Sequence, residues 1–206
     1  MTDTVAPGRS DAPPVELSLE SPLEVERWRP LVHWLLAIPQ LVMAAVLMWI
    51  AGLLGVVAFV FVLFTRRVPE GIHNWIVMAF RYQWRTATYA AFLREVYPAF
   101  DFDPVAVDPG VEQAQLTVRP ADELNRWLPL VKWILIIPHL LVLAALMLGV
   151  YFGLLIGFFA VLFTGQWPIG VRLYIVNVAR WAYRVSAYMY FLRDEYPPFA
   201  LGRDVA

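Results

Sequence analysis

Arg27-Trp28-Arg29-Pro30-Leu31-Val32-His33-Trp34 returns as Arg126-Trp127-Leu128-Pro129-Leu130-Val131-Lys132-Trp133, and each copy runs on into a long apolar stretch. The shift is 99 positions (126 minus 27), and it holds without a gap to Phe100 and Phe199. From Leu31 to Phe64 and from Val131 to Phe163 the only potentially charged residues are His33, Lys132 and His139. As one helix at 1.5 Å per residue such a stretch would be roughly 50 Å long, against a hydrocarbon core of about 30 Å. The duplicated unit is therefore read as membrane-embedded.

Composition agrees. Of 206 residues, 60% are hydrophobic and the net charge is −1, with a mean hydropathy of +0.60. That profile belongs to membrane proteins and offers no global basic field for nucleic acid, so no nucleic-acid partner is expected. The absence of cysteine removes disulfides, thiolate metal sites and cysteine nucleophiles. Residues 1–14, rich in proline and small or charged residues, lack the basic start and apolar centre of a signal peptide and read as a disordered tail; 200–206 read as a C-terminal tail.

Each repeat, 15–100 and 114–199 with a linker at 101–113, opens on an alternating stretch: Val15-Glu16-Leu17-Ser18-Leu19-Glu20 and Ala114-Gln115-Leu116-Thr117-Val118-Arg119. A period of two predicts strands that could pair outside the membrane; extended linkers are the alternative. Pro39 and Pro138 predict a kink, since proline removes an intrahelical hydrogen bond and disfavours helix at the preceding residue. A Trp-rich interfacial turn should then precede spans at about 40–64 and 139–163. A re-entrant hairpin folding at Gly52 or Gly149 is a rival, with legs too short to cross. Thr65-Arg66-Arg67-Val68-Pro69-Glu70-Gly71 and Thr164-Gly165-Gln166-Trp167-Pro168-Ile169-Gly170 turn the chain back. Second helices at about 72–93 and 171–192 follow, each ended by the proline of Tyr97-Pro98 or Tyr196-Pro197.

The motifs Arg-Trp-x-Pro-Leu-Val-x-Trp, Leu-Phe-Thr, Arg-x-x-x-Arg and Tyr-Pro-x-Phe together resemble an actinobacterial membrane family, the domain of unknown function 4389, across both copies. The resemblance implies a plasma-membrane protein and supplies no catalytic residues. The first copy departs from it where Arg66-Arg67 stands in place of the Gly-x of the second turn.

The second helices carry one costly feature. Arg81 and Arg85, and again Arg180 and Arg184, lie four apart on one helical face, with Asn177 extending the second stripe. Neither helix contains an acidic residue, and an ionised side chain at bilayer depth faces a bundle interior, a cavity or a lipid headgroup. Three readings stay open. The arginines form a lipid or anion site where the repeats meet; or each second helix lies in the interface with its arginines snorkelling to phosphates; or they pair with Glu24, Glu26, Asp122 or Glu123 for structural reasons. Gly149, Gly153 and Gly157 form overlapping Gly-x-x-x-G units, read as a face for helix packing, either between repeats or against a partner protein or second copy.

Metal or haem ligation is not expected, because His33 aligns with Lys132, His73 with Arg172 and His139 with Gln40. The acids Asp101, Asp103, Asp108, Glu112, Asp122 and Glu123 read as solvated linker. No acid–base or nucleophile motif appears, so no enzyme and no cofactor is expected.

The expected fold is an all-α integral membrane protein of two tandem helical hairpins, each a long Pro-kinked transmembrane helix plus an amphipathic, Arg-bearing second helix. The positive-inside rule puts both termini and the linker in the cytoplasm, with Arg66, Arg67 and Arg172 opposite. The expected function is a non-enzymatic accessory or scaffolding subunit of a larger plasma-membrane complex, with membrane lipids and another membrane protein or second copy as partners. The alternative is an anionic-lipid or anion binder, as in a transport system, using the four arginines.

Overall fold

The computed structural model of the chain describes residues 13–202; of the expected tails at 1–14 and 200–206, residues 1–12 and 203–206 lie outside them. The chain is mostly helical and made of two tandem segments with the same order of elements. The first holds β1 (Val15–Leu19), α1 (Arg29–Leu36), α2 (Ile38–Thr65) and α3 (Glu70–Ala90). The second holds β2 (Ala114–Val118), α4 (Leu128–Leu135), α5 (Ile137–Thr164) and α6 (Ile169–Met189).

Among the described residues two helices are long and apolar enough to cross a membrane: α2, and α5 together with α4. Pro39 and Pro138 each lie in the first two residues of the long helix, and the interruption falls earlier, at Ala37 and Ile136. Pro39 has no N–H to donate to Leu35, which opens the ladder there. Ala37 itself stays right-handed, with its N–H on the His33 carbonyl at 2.8 Å. Of the 28 residues of α2, only Gln40, Ala44, Leu47, Ala51, Gly55, Ala58 and Val62 are buried. Spaced three or four apart and mostly small, they make one narrow stripe against which α3 packs. The rest of α2 exposes its apolar side chains, Trp49 and Phe64 above all.

The second helices do not run to the Tyr-Pro motifs. They end at Ala90 and Met189, each on a residue in the left-handed region, Phe92 at φ 47° and Phe191 at φ 62°. The N–H of Leu93 reaches the Thr88 carbonyl and that of Phe92 the Tyr89 carbonyl; Leu192 to Ala187 and Phe191 to Tyr188 repeat the pattern. This is a Schellman cap, which usually takes glycine. Each phenylalanine is kept there by what its ring meets. Phe92 stacks on Trp167 at 5.1 Å and Phe191 packs on Phe59 at 5.6 Å, so each ring enters the hairpin of the other repeat.

That exchange is general. β1 and β2 pair antiparallel with Leu17 opposite Leu116, its own equivalent 99 positions on, and only a two-fold relation places equivalents face to face in such a pair. Val25 N–H donates to the Gly165 carbonyl and Leu124 N–H to that of Arg66, both at 2.9 Å and again equivalent. The satellite cores match in the same way: Val25, Phe92, Phe158, Val161 and Trp167 on one side, Leu124, Phe191, Phe59, Val62 and Val68 on the other. The central core gathers α3, the strands and residues of α2 and α6.

Candidate functional site

An isolated two-stranded ribbon leaves both of its edges unpaired. The ladder bonds from Arg119 to Pro14 and from Glu20 to Gln113 fix Leu17–Leu116 as a non-hydrogen-bonded pair, whose carbonyls face away from the partner strand. The arginines cover those carbonyls. Arg81 Nε donates to Leu116 O at 3.2 Å and Arg180 Nε to Leu17 O at 2.9 Å. Each repeat thus caps the strand of the other.

Around Arg81 and Arg85 the linker folds back as a lid of carboxylates. Arg81 Nε lies 2.9 Å from Asp108 Oδ2, and Arg85 reaches Asp101 at 2.9 Å and Asp108 at 3.2 Å. Arg81 also donates to the Val105 carbonyl and Arg85 to that of Ala114. The side chain of Asp108 is 2% exposed, and it accepts from the backbone N–H groups of Leu116 and Gly110 while its own N–H bonds Thr117 Oγ1. Burial pulls the Arg81 guanidinium below its usual value and Asp108 opposes that pull. At Asp101 burial pushes the carboxyl up, but the Asp103 N–H and Arg85 together hold it below the usual carboxylate range.

The first-repeat arginines therefore meet a protein carboxylate, and the partners are Asp101 and Asp108 in place of Glu24, Glu26, Asp122 or Glu123. The expectation of a solvated linker is corrected for Asp101, Asp108 and Glu112, the last of which holds the buried Arg94 at 2.5 Å. One signal for this was in the sequence: Asp108-Pro109-Gly110 has the composition of an Asx-turn, and Gly110 N–H does bond the Asp108 carboxylate at 3.0 Å.

The second-repeat pair stands apart from the first. Arg180 also bonds Asn177 Oδ1 at 2.6 Å, and Arg184 bonds the carbonyls of Ala200 at 2.5 Å and Gly202 at 3.4 Å. Both line a cavity of about 360 Å³ with Glu16, Ser18, Gln115 and Thr117. The four arginines are brought to one ribbon but to different places on it.

The glycine face is filled from within its own hairpin. A Cβ on Gly149 would meet the Tyr174 hydroxyl at 2.3 Å, on Gly153 the Val171 side chain at 3.1 Å and on Gly157 the Trp167 ring at 2.1 Å. The helix packing of this face is thus within one repeat, in place of the expected contact between the two. The histidines sit separately: His33 stacks on Tyr89 at 4.3 Å, His73 is beside Asn74, and His139 stacks on Phe199 and accepts from Trp181 Nε1. Among the described residues no three of His, Asp and Glu form a group that could hold a metal ion.

A family model described as Domain of unknown function (DUF4389) matches residues 27–101 and 127–200. No curated protein and no solved structure matches the chain.

Proposed function

We propose, for a chain that belongs to the DUF4389 family and carries two copies of its domain, a non-enzymatic role as an accessory or scaffolding subunit of a larger plasma-membrane complex. The apolar faces of α2 and α5 anchor it among lipids, and the ribbon with its linker is the rigid polar surface offered to another membrane protein, with the termini and linker in the cytoplasm. One observation carries the reading. The groups with the most chemistry to offer in the first repeat, Arg81 and Arg85, are engaged by Asp108, Asp101 and the strand carbonyls, so they serve to hold the ribbon face in shape. Purification in mild detergent with identification of what co-purifies tests it: a stoichiometric protein partner supports the scaffold, and lipid alone overturns it.

A second reading, binding of an anion or anionic lipid, is favoured by the cavity at Arg180 and Arg184. Its Gln115, Thr117 and Ser18 add hydrogen-bonding groups to two guanidinium forks, a set suited to phosphate or carboxylate oxygens, with the one carboxylate of the wall, Glu16, paired to Arg119.

A further inference from the structure

The two-fold relation fixes how the long helices run. Val25, at the start of the first helical unit, is stitched to Gly165 at the end of α5, and Leu124 to Arg66 at the end of α2. Trp133, just before α5, lines a hollow with Gly52 and Phe59 from the later half of α2. So the α1–α2 and α4–α5 units run in opposite directions, and the axis relating them passes between the two, level with the middle of each. The ribbon lies on that axis, because Leu17 faces Leu116.

Everything attached to the ribbon therefore sits at the middle of the long helices and not at their ends. That includes the carboxylates of the linker, the described start of the chain at Pro13, bonded by Arg119, and Gly202, bonded by Arg184. If α2 and α5 crossed a bilayer, a two-stranded ribbon and the exposed Asp103 would lie at its centre. Open strand edges and solvated carboxylates are not tolerated there.

Laid parallel to the membrane, the same arrangement meets no such conflict. α3 packs against α2 and also against β2, and α6 against α5 and also against β1. The order is thus long apolar helices, buried helices, polar ribbon. Each long helix is apolar all round because one side meets the protein core and the other meets hydrocarbon; the amphipathicity belongs to the molecule, not to the single helix. A helix about 10–12 Å across fits inside one leaflet, half of a core of about 30 Å. Trp28 and Trp34, at the start of and within α1, and Trp127 and Trp133, at the start of and within α4, are all more than half exposed, as suits side chains at headgroup depth.

We propose that the chain is monotopic. It lies in the cytoplasmic leaflet with α2 and α5 parallel to the membrane plane and the ribbon face in water, and it crosses nowhere, in place of the multi-pass arrangement that length and hydropathy alone suggest. The proposal rests on the membrane residence stated above, and the two fail differently.

The chain has no cysteine, so single substitutions at exposed sites report cleanly. Asp103→Cys marks the linker, Arg67→Cys the α2–α3 turn and Gln166→Cys the α5–α6 turn. The full chain in its own membranes is treated with a membrane-impermeant maleimide, first in intact cells and then after permeabilisation. All three variants should be protected in intact cells and labelled after permeabilisation. Labelling of Arg67→Cys and Gln166→Cys in intact cells with Asp103→Cys protected means four spans; labelling of only one of the two turns means crossing repeats of opposite orientation; labelling of all three places the molecule on the outer face. Each of these overturns the proposal. Recovery of the unsubstituted chain in the soluble fraction, as a dimer with its apolar layers face to face, would instead overturn membrane residence itself.

Discussion

Leu17 lies opposite Leu116, and each has its outward carbonyl capped by an arginine from the other's partner helix, Arg180 for Leu17 and Arg81 for Leu116. A duplication that began as two like halves is held by bonds that each half makes to the other.

Asp108 is the centre of the first-repeat site, and removing it takes the carboxylate from the buried Arg81 and leaves Arg85 with Asp101 alone. Leaving one partner of a buried pair uncompensated costs about 3–5 kcal/mol. Asp108→Ala should therefore lose about that much in denaturant or thermal unfolding in detergent, while the exposed Asp103→Ala should stay within about 0.5 kcal/mol of the parent. Equal effects from the two would remove Asp108 from its role.

At Arg66 the first α2–α3 turn adopts the left-handed conformation, φ 58°, where the second repeat has Gly165 at φ 76°. A side chain there costs roughly 1–2 kcal/mol before compensation. Arg66→Gly should raise stability by about 1 kcal/mol, and Gly165→Ala should lower it by a similar amount. A fall in stability on Arg66→Gly would show that the side chain does more than the backbone argument allows.

Helix packing in the second hairpin is set by glycine. Gly157→Ala puts a methyl into the Trp167 ring, whereas nothing lies within 4 Å of a Cβ on Gly52. Overpacking of this kind costs about 1–3 kcal/mol, so Gly157→Ala should lower the unfolding midpoint and Gly52→Ala should leave it unchanged. Intact stability with lost co-purification of a protein would return the face to a partner.

His33 makes stability depend on pH. Its ring is fully buried, with Nδ1 at 3.1 Å from the Tyr89 carbonyl and Nε2 at 3.3 Å from Arg29 Nη1. Burial lowers its pKa, the Tyr89 bond opposes this, Arg29 adds to it, and Glu95 and Glu26 oppose it. A histidine whose folded pKa is depressed keeps its full contribution above the unfolded value of about 6.5 and loses it as pH falls through the folded one. The unfolding midpoint should therefore drop on acidification below about pH 6.5, and less steeply in His33→Gln; an unchanged slope in that variant would exclude His33 as the source.

The repeat, the strands and the two long apolar helices were legible because each is written locally, in a period of two, an apolar run or a recurring motif. What was not legible depends on which half meets which. No local pattern says that Leu116 needs Arg81, or that Asp108 folds back across 27 residues onto α3. The helix ends at Phe92 and Phe191 were missed for a related reason: a left-handed phenylalanine is disfavoured locally and is stabilised by Trp167 and Phe59 from the other repeat. The spacing of the second-helix arginines marks them as costly, but it does not show that Arg81, Arg85 and Arg180 bond the outward carbonyls of Leu116, Ala114 and Leu17.

The last prediction separates the two arginine pairs. Arginine presents a planar fork of donors and lysine a single point charge, so exchange is not conservative where one guanidinium serves several acceptors. Arg81 bonds the Asp108 carboxylate and the Leu116 and Val105 carbonyls, and Arg85 bonds both aspartates. Arg81→Lys with Arg85→Lys should therefore cost stability, on the order of 1–3 kcal/mol for the lost charge-assisted bonds, with no change in bound lipid. Arg180→Lys with Arg184→Lys alters the wall of the cavity beside β1; if that cavity holds an anionic headgroup, this pair should lose anionic lipid in native mass spectrometry before it loses folding. Lipid retention equal to the parent in the second pair would sink the anion-binding reading and leave all four arginines with a structural role, Arg180 on the Leu17 carbonyl and Arg184 on those of Ala200 and Gly202.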